Sequence, residues 1–341
     1  MKLLVLRFSA LGDVMMGVPL VDALARRYPD ADITVLSRRP FEAPFRFLPD
    51  NVKFWGVDLN LYKGVAGLNR LYREIRQQGF THVADLHDVL RTRYLRTRCR
   101  LGGLKVRVID KGRADKRRLT RRRHKVLRRL PTSFDRYRQV FIDLGFPFEP
   151  TFQSLFAAGK PDIADLHALT GDKGGDRWIA VAPFAKHEGK IYPLDRMRQV
   201  VDGLRRHAGY KVFVFGGGER EKAVAEAWRQ AFPEIVSVSG HLTMEQELRL
   251  LAHMDATLTM DSANMHLAAL AGSPVISVWG ATHPFAGFLG WHLSTDNVLQ
   301  ADLPCRPCSV FGQKTCFRGD YACLHALAPE TVIEKIHALL S

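Results

Sequence analysis

An aspartate near the start of the chain is the first residue whose position suggests chemistry. Asp13 follows "LVLRFSALG", a short apolar run that ends in small residues, and precedes apolar residues at helical spacing. In the first turn of a helix a carboxylate favours the helix dipole, which is a common reason for an acid at this place. A carboxylate at the carboxyl end of a strand can also act as a general base in a cleft. The position of Asp13 alone leaves both interpretations open.

A second group of candidate residues lies in "TMDSANMHLAALAGSPVISVWGATHP", residues 259–284. Its members are Asp261, Ser262, His266, Gly280 and Thr282. Asp261 and Ser262 end a predicted strand and begin a predicted helix, whose free N–H groups can bind a phosphate. Thr282 ends the next strand and can add a hydroxyl donor. Taken singly, Asp-Ser is a frequent helix cap and His266 fits a buried core histidine, but the block as a whole predicts an anion site.

Two shorter segments of the second half add charge and a glycine turn. "APFAKHEGKIYP", residues 182–193, places Lys186 and Lys190 after a predicted strand. A lysine on a loop beside a helix-end anion site can neutralise a diphosphate as a point charge. "FGGGERE", residues 215–221, contributes the candidates Gly217, Glu219 and Glu221. This second segment matches neither the dinucleotide-binding glycine pattern nor a P-loop, so alone it predicts only a turn.

Four cysteines near the end of the chain raise the question of a metal. Cys305, Cys308, Cys316 and Cys323 form the pattern C-x2-C-x7-C-x6-C, while Cys99 stands apart. Four clustered thiols in a reducing compartment can hold a structural zinc, and the first spacing fits such a site. The second spacing is looser than that of common zinc sites, so buried free thiols are the alternative. Neither interpretation gives these cysteines a catalytic role.

The elements that must position these residues alternate between strand-like and helix-like segments. The predicted strands are 2–8, 31–37, 81–88 and 106–110 in the first half, and 178–185, 211–218, 234–240, 256–260 and 273–280 in the second. Helix-like stretches such as 194–207, 219–231 and 244–253 separate most of them, and 329–340 closes the chain as an amphipathic helix. This alternation predicts an α/β protein with two Rossmann-like, doubly wound parallel-sheet domains facing across a cleft.

The length and the composition agree with two such domains. A chain of 341 residues with 46% hydrophobic residues can bury two cores. Residues 157–177 are rich in Gly, Asp and small residues and are the candidate linker. We therefore predict a first domain over 1–160, a second over 161–326, and a final helix over 327–341 for which the first domain is a candidate packing surface. No apolar run approaches the ~20 residues of a membrane-spanning helix, and the N-terminal segment does not fit a signal peptide. The expected location is the cytoplasm.

Positive charge is concentrated in one segment. The formal net charge is +15, yet residues 91–138 alone hold 20 Lys and Arg against three acids. Such a segment predicts one basic face for an anionic partner, which can be phospholipid, a phosphorylated glycolipid or nucleic acid. A solvated charge run is the alternative. The segment lacks the aromatic interleaving of an RNA-recognition motif, so no nucleic-acid partner is expected.

These motifs together carry a family resemblance. "LRFSALGDVMMGVPLVDALARRYPDADI", "KIYP" at 190–193 and "DSANMHLAALAGSPVISVWGATHP" resemble glycosyltransferase family 9, the lipopolysaccharide heptosyltransferases, in order over nearly the whole chain. The resemblance implies a GT-B fold and a monomer. It also implies an inverting transfer that needs neither cofactor nor metal and moves heptose from ADP-heptose to the inner core of lipid A. Another nucleotide-sugar on the same scaffold is the alternative donor.

The resemblance also assigns roles to the candidates. It makes Asp13 the catalytic base and places Lys190 at the leaving diphosphate. Asp261, Ser262, His266 and Thr282 fall on the family's donor-binding block, in which Ala263 stands where the family usually has glycine. The first domain would receive the acceptor. The basic segment would then bind the lipopolysaccharide precursor and the anionic inner-membrane surface through Arg91, Lys116, Arg117, Arg121, Arg122 and Arg123. A basic lipid- or RNA-binding protein without activity is the competing class.

Overall fold

The computed structural model describes residues 1–341, which divide into two compact units. The first unit comprises Met1–Lys111 and Pro131–Leu155, and the second comprises Gly112–Leu130 and Phe156–Ser341. Each unit contains one all-parallel sheet with helices between its strands. The predicted α/β class with two Rossmann-like units is confirmed.

The first 155 residues contain five strands and six helices. In chain order these are β1 (Lys2–Leu6), α1 (Leu11–Met15), α2 (Val18–Arg27), β2 (Asp32–Arg38), β3 (Val52–Val57), α3 (Gly64–Gln77), β4 (His82–Asp85), α4 (Leu90–Leu101), β5 (Lys105–Val108), α5 (Arg113–Leu119) and α6 (Ser133–Asp143). The strands pair in the order β3-β2-β1-β4-β5. Strand β1 is central and its residues Leu3–Leu6 are buried on both faces, as a parallel sheet covered by helices requires.

The second half contains six strands and seven helices. They are α7 (His167–Thr170), β6 (Arg177–Ala182), α8 (Leu194–Arg205), β7 (Tyr210–Val214), α9 (Glu219–Ala231), β8 (Val236–Ser237), α10 (Met244–Leu251), β9 (Ala256–Met260), α11 (Ala263–Ala271), β10 (Val275–Val278), β11 (Val298–Leu299), α12 (Ala322–His325) and α13 (Pro329–Leu340). The strand order is β11-β10-β9-β6-β7-β8. The apolar faces of β6, β9, β10 and α8 form one continuous core.

The final helix belongs to the second unit. Val332 and Ile336 of α13 are fully buried in the core that β6 and β9 share with α8. Their spacing of four residues places both side chains on one face of the helix. The first domain, offered above as a candidate packing surface for this helix, is therefore not the unit with which α13 is grouped.

The basic segment also differs from its predicted placement. Gly112–Leu130 interrupts the first unit in sequence but is grouped with the second in space. Leu119 and Leu130 are buried, and the Leu130 N–H donates to the Phe285 carbonyl at 3.0 Å. The Lys125 ammonium donates to the carbonyls of Pro304 and Cys305. The contacted residues are far from this segment along the chain, so the order of residues in the sequence could not indicate the contacts.

No helix of the protein combines the length and the apolar character that crossing a membrane requires.

Candidate active site

In both sheets the order of the strands reverses next to residues that the sequence singled out, although all strands run parallel. In the first unit β1 lies between β2 and β4, so the chain winds outward from its carboxyl end in both directions. In the second unit the corresponding point lies between β6 and β9. Open α/β sheets bind their ligands at such switch points. Asp13 follows β1, whereas Lys190 follows β6 and Asp261 follows β9.

The Asp13 carboxylate makes two contacts in the first turn of α1. Its Oδ2 accepts the Ala10 N–H at 3.0 Å and so caps the helix. The same oxygen pairs with the Arg7 guanidinium at 2.7 Å, and the Asp13 side chain keeps 24% of its surface exposed. The backbone carbonyl of Asp13 accepts the Tyr137 hydroxyl at 3.1 Å. The helix-capping interpretation is therefore correct, but the carboxylate is also oriented by a cation and reaches solvent, as a base must.

The cation beside Asp13 is itself held by distant parts of the chain. Arg7 donates to the Leu86 carbonyl and lies over the Tyr137 ring. Burial, reinforced by the positive charges of Arg7 and Lys111, lowers the pKa of His87 to about 3. His87 is therefore a neutral imidazole at physiological pH, with its ring nitrogens facing the Phe8 N–H and the Ser9 hydroxyl. Arg7 therefore places a fixed positive charge against Asp13, whereas the neutral His87 adds none.

Lys190 and Asp261 form the charged centre of the second unit. The Lys190 Nζ lies 2.7 Å from Asp261 Oδ2, and the two side chains are 15% and 4% exposed. The pair joins the loop after β6 to the loop after β9, across the switch point of the sheet. An ammonium held at this place can bind an anion while it stays close to the Asp261 carboxylate.

Unsatisfied donors lie beside this pair. Ser262 is the N-cap of the nine-residue helix α11, but its side chain makes no capping hydrogen bond and instead lies 3.4 Å from the Thr259 hydroxyl. The first N–H groups of α11 therefore have no side-chain cap. The Thr282 hydroxyl is fully buried and has no hydrogen-bond partner. Unpaired buried donors are rare, so a ligand that accepts from them is the expected partner.

Two glycines let the loops of the site approach one another. The Ala281 N–H donates to the Gly189 carbonyl at 2.7 Å, which ties the loop of Lys190 to the loop of Thr282. A Cβ on Gly280 would lie 2.6 Å from that carbonyl and 2.6 Å from Leu324. A side chain at Gly280 would therefore push the two loops apart. Gly280, a predicted donor-site residue, serves close backbone packing.

His266 and Ala263 occupy the helix that starts at this site. Ala263 is the first residue of α11, and His266 lies on the same helix with 7% of its surface exposed. Lys186 follows β6 on the same connection as Lys190. Their contact with a donor stays a prediction.

The glycine turn after β7 has a local explanation. The Gly217 N–H donates to the Glu221 carboxylate at 2.8 Å, which closes the turn in front of α9. Gly217 and Glu219 are exposed. Donor binding by these three residues likewise stays a prediction.

Sequence reasoning missed two residues at this edge of the second sheet. Ser239 is fully buried and its hydroxyl has no partner, and a Cβ on Gly216 would meet that hydroxyl at 2.4 Å and the Phe184 ring at 3.0 Å. Arg306 is 5% exposed and binds the carbonyls of the loop that carries Thr282. Serine after a short strand and arginine between two cysteines carry no recognisable local signal.

The four clustered cysteines are free thiols. The structure contains no group of three or more His, Cys, Asp or Glu side chains placed to hold a metal ion. Burial raises the pKa of Cys323 to about 11, whereas backbone N–H groups of residues 318–321 outweigh burial at Cys316 and lower its pKa. This arrangement gives the zinc alternative no support.

The predicted membrane-binding residues do not form one group. Arg117, Arg121, Arg122 and Arg123 are exposed on the second unit. Lys116 is buried with its ammonium 4.2 Å from the centre of the Phe288 ring, so it cannot contact a lipid headgroup. Arg91 is half-buried on α4 of the first unit. The expected patch on the first domain is therefore corrected to an exposed cationic segment of the second.

Comparison with known proteins agrees with these features. Lipooligosaccharide heptosyltransferase 2 of Campylobacter jejuni is 24% identical over 348 residues, which covers 100% of this chain and 98% of that relative. A family 9 glycosyltransferase from Veillonella parvula superposes with a TM-score of 0.75 at 19% identity, covering 99% of this chain and 97% of that one. E. coli heptosyltransferase WaaC with ADP gives 0.71 at 16% identity, with coverage of 99% and 100%.

The family assignment rests on the matched motifs as a whole. The model of glycosyltransferase family 9 (heptosyltransferase) matches residues 68–316, which include Lys190, Asp261 and Thr282. The match covers most of the chain, from within α3 of the first unit to the residues just before α12 of the second. The protein therefore belongs to glycosyltransferase family 9, the heptosyltransferases.

Proposed function

We propose that the protein transfers heptose from ADP-heptose to the inner core of a lipopolysaccharide precursor, with inversion at the anomeric carbon. The observation that supports this most directly is the Lys190–Asp261 pair beside the uncapped N-terminus of α11 and the unpartnered Thr282 hydroxyl. A cation and several N–H and O–H donors at one sheet edge match the needs of a diphosphate. The chain's own groups thus neutralise the leaving group in this proposal, and no cofactor is assigned.

The donor nucleotide follows from the relatives. The solved structures of WaaC contain ADP and ADP-2-deoxy-2-fluoro heptose, and the curated relatives are named heptosyltransferases. The carboxyl edge of the second sheet is where a nucleotide binds in Rossmann-like units. We therefore assign the diphosphate to Lys190, Thr282 and the first N–H groups of α11.

The transfer itself needs a base. The acceptor hydroxyl gives its proton to the Asp13 carboxylate while its oxygen attacks the anomeric carbon of the sugar. As that carbon–oxygen bond forms, the bond from the anomeric carbon to the diphosphate breaks, and ADP leaves with the electron pair. Arg7 holds the Asp13 carboxylate by a 2.7 Å contact, which fixes its direction. Attack from the face opposite the leaving group inverts the anomeric configuration.

Titration calorimetry with ADP, UDP and GDP in the presence of EDTA tests the donor assignment. We expect ADP to bind most tightly, because the solved structures of WaaC contain ADP and an ADP-sugar. UDP and GDP share only the diphosphate contacts, so they should bind more weakly. Preference for UDP or GDP would be consistent with a glycosyltransferase but would contradict ADP-heptose as its donor. Absence of binding by all three would contradict the donor site and favour a lipid- or RNA-binding protein without activity.

In this proposal the protein acts as a monomer on the cytoplasmic face of the inner membrane. Its partner on the acceptor side is the anionic lipid surface of that membrane. Exposed arginines of the segment Gly112–Leu130 lie beside exposed Val126 and Leu127. The Arg122 guanidinium stacks on Phe317, whose ring is 48% exposed. Cations interleaved with exposed apolar side chains are typical of interfacial binding. The Lys125 contact to the Cys305 carbonyl, at 2.7 Å, holds the segment on the second unit.

Replacing Arg121, Arg122 and Arg123 by serine should weaken binding to vesicles that contain anionic lipid by roughly 100-fold or more, at about 1 kcal/mol per cation. The loss should shrink at high salt, because screening already weakens the wild-type contact. Vesicle co-sedimentation at two salt concentrations measures it. Replacing the exposed Arg206, Arg220 and Arg229 removes the same net charge elsewhere on the unit and serves as the control. If both triple variants weakened vesicle binding equally, the result would contradict a specific lipid-binding surface at Arg121, Arg122 and Arg123.

A further inference from the structure

Arg306 is a buried cation that forms no salt bridge, and the charge of Asp302 acts on it only from a longer distance. Its side chain is 5% exposed, and every hydrogen-bond acceptor of its guanidinium is neutral. These acceptors are the carbonyls of Trp279, Gly280, Thr282 and Ala301 and the side-chain oxygen of Gln300. Arginine stays protonated in proteins, and a buried charge whose direct hydrogen-bond partners are all neutral is costly. An anion that binds nearby would remove part of this cost.

The carbonyls that Arg306 binds belong mainly to one functional loop. Residues 279–282 follow β10 and carry the buried, unpartnered Thr282 hydroxyl. The Arg306 Nη2 lies 3.0 Å from the Trp279 carbonyl oxygen and 2.9 Å from the Thr282 carbonyl oxygen. The remaining carbonyl of the loop, that of Ala281, accepts the N–H groups of Cys308 and Ser309. All four carbonyls of the loop are thus bound by Arg306 and the two residues just after Pro307.

This arrangement orients the loop's donors as well as its acceptors. In a planar trans peptide the N–H points away from the carbonyl that precedes it. When Arg306 binds the carbonyls of Trp279 and Gly280, the N–H groups of Gly280 and Ala281 are turned to the opposite side. The Ala281 N–H reaches the Gly189 carbonyl at 2.7 Å, on the loop that carries Lys190. The guanidinium therefore sets the position of Thr282 relative to Lys190.

We propose that Arg306 is a positioning residue of the donor site: it holds the loop 279–282 in the form that presents Thr282 to the donor diphosphate, and its buried positive charge favours the bound anion. The proposal rests on the proposed function, since it takes the diphosphate to bind beside Lys190 and Thr282. Methionine at 306 would remove the charge and all five hydrogen bonds. Lysine would keep the charge but could not reach acceptors spread around a planar guanidinium.

The test compares Arg306→Met and Arg306→Lys with wild type in ADP and adenosine titrations. We expect Arg306→Met to weaken ADP binding by about tenfold or more, because several charge-assisted hydrogen bonds and a nearby positive charge are lost. Adenosine, which lacks phosphates, should lose less affinity than ADP. Arg306→Lys should fall between wild type and Arg306→Met for ADP, since it keeps the charge and loses the geometry. Arg196→Met is the matched control, because Arg196 also donates to carbonyls, those of His325 and Leu327.

A double-mutant cycle with Thr282→Val separates positioning from general stability. If Arg306 acts through the loop, Arg306→Lys should weaken ADP binding less in the Thr282→Val background than in wild type, because contacting residues couple. Additive losses in this cycle would overturn the positioning role, as would wild-type ADP affinity in folded Arg306→Met protein. Wild type that binds no nucleoside diphosphate would contradict the proposed function and this proposal with it. Should Arg306→Met fail to fold, Arg306→Lys and the cycle decide alone.

Discussion

Replacement of Asp13 by asparagine is expected to lower the rate of sugar transfer by about 10²- to 10⁴-fold, the contribution of a positioned general base. Asparagine has nearly the same shape and can still accept the Ala10 N–H that caps α1. It cannot accept the proton of the acceptor hydroxyl. The dissociation constant for ADP should not change, because the donor contacts lie in the second unit. Initial rates at saturating donor, together with ADP titration, measure both quantities.

The loss of charge at residue 13 also affects stability, so the rate must be compared with a matched variant. Asp13→Asn leaves the Arg7 guanidinium without its carboxylate, although Arg7 keeps the Leu86 carbonyl. Asp22 is a suitable control, because it is a buried carboxylate of the same unit that pairs with Arg26 at 2.9 Å on α2. Asp22→Asn should lower the unfolding temperature comparably without lowering the rate per folded molecule. Near-wild-type turnover by Asp13→Asn would refute the base assignment.

The sequence predicted the central strands better than the edge strands. Strand β1 is a continuous apolar run after Lys2, and β9 is buried at every residue, because both faces of a parallel sheet are covered. Strand β3, Val52–Val57, went unpredicted since Lys53 and Gly56 interrupt its apolar pattern, which the exposed edge of a sheet tolerates. Strand β11 has only two residues, Val298 and Leu299, and so offers no periodicity. All central strands were thus predicted, whereas of the four edge strands only β5 and β8 were.

The residues of the candidate site were also predicted unevenly. Asp13, Lys190 and Asp261 are recognisable because each follows a strand in a fixed local motif, and parallel strands bring their carboxyl ends to one edge. Arg7 and Arg306 act through carbonyls that are 79 and 26 residues away, at Leu86 and Gly280. Such partners depend on which loops meet in space. The residues that hold the reactive groups in place were therefore invisible to sequence reasoning.

Replacement of Lys190 by methionine is expected to weaken ADP binding by at least about 30-fold, because truncating one partner of a buried charge pair costs about 2 kcal/mol or more. The turnover number should also fall, by about 10²- to 10³-fold, since negative charge develops on the leaving diphosphate in the transition state. ADP titration and initial rates measure the two effects. Lys173→Met is the matched control, because Lys173 pairs with Asp255 at 2.8 Å in the same unit. Unchanged ADP affinity in Lys190→Met would contradict the donor site.

The partner of Lys190 makes this prediction sharper. Without the ammonium, the Asp261 carboxylate, only 4% exposed, would face the diphosphate as an unpaired negative charge. The double variant Lys190→Met/Asp261→Asn removes that repulsion, so it should bind ADP more tightly than Lys190→Met alone. If Lys190 itself contacts the diphosphate, the recovery must be partial, because the attractive charge is still missing. Full recovery of wild-type affinity would mean that Lys190 serves only to neutralise Asp261, and the diphosphate would then have to be held by Thr282 and the first N–H groups of α11 alone.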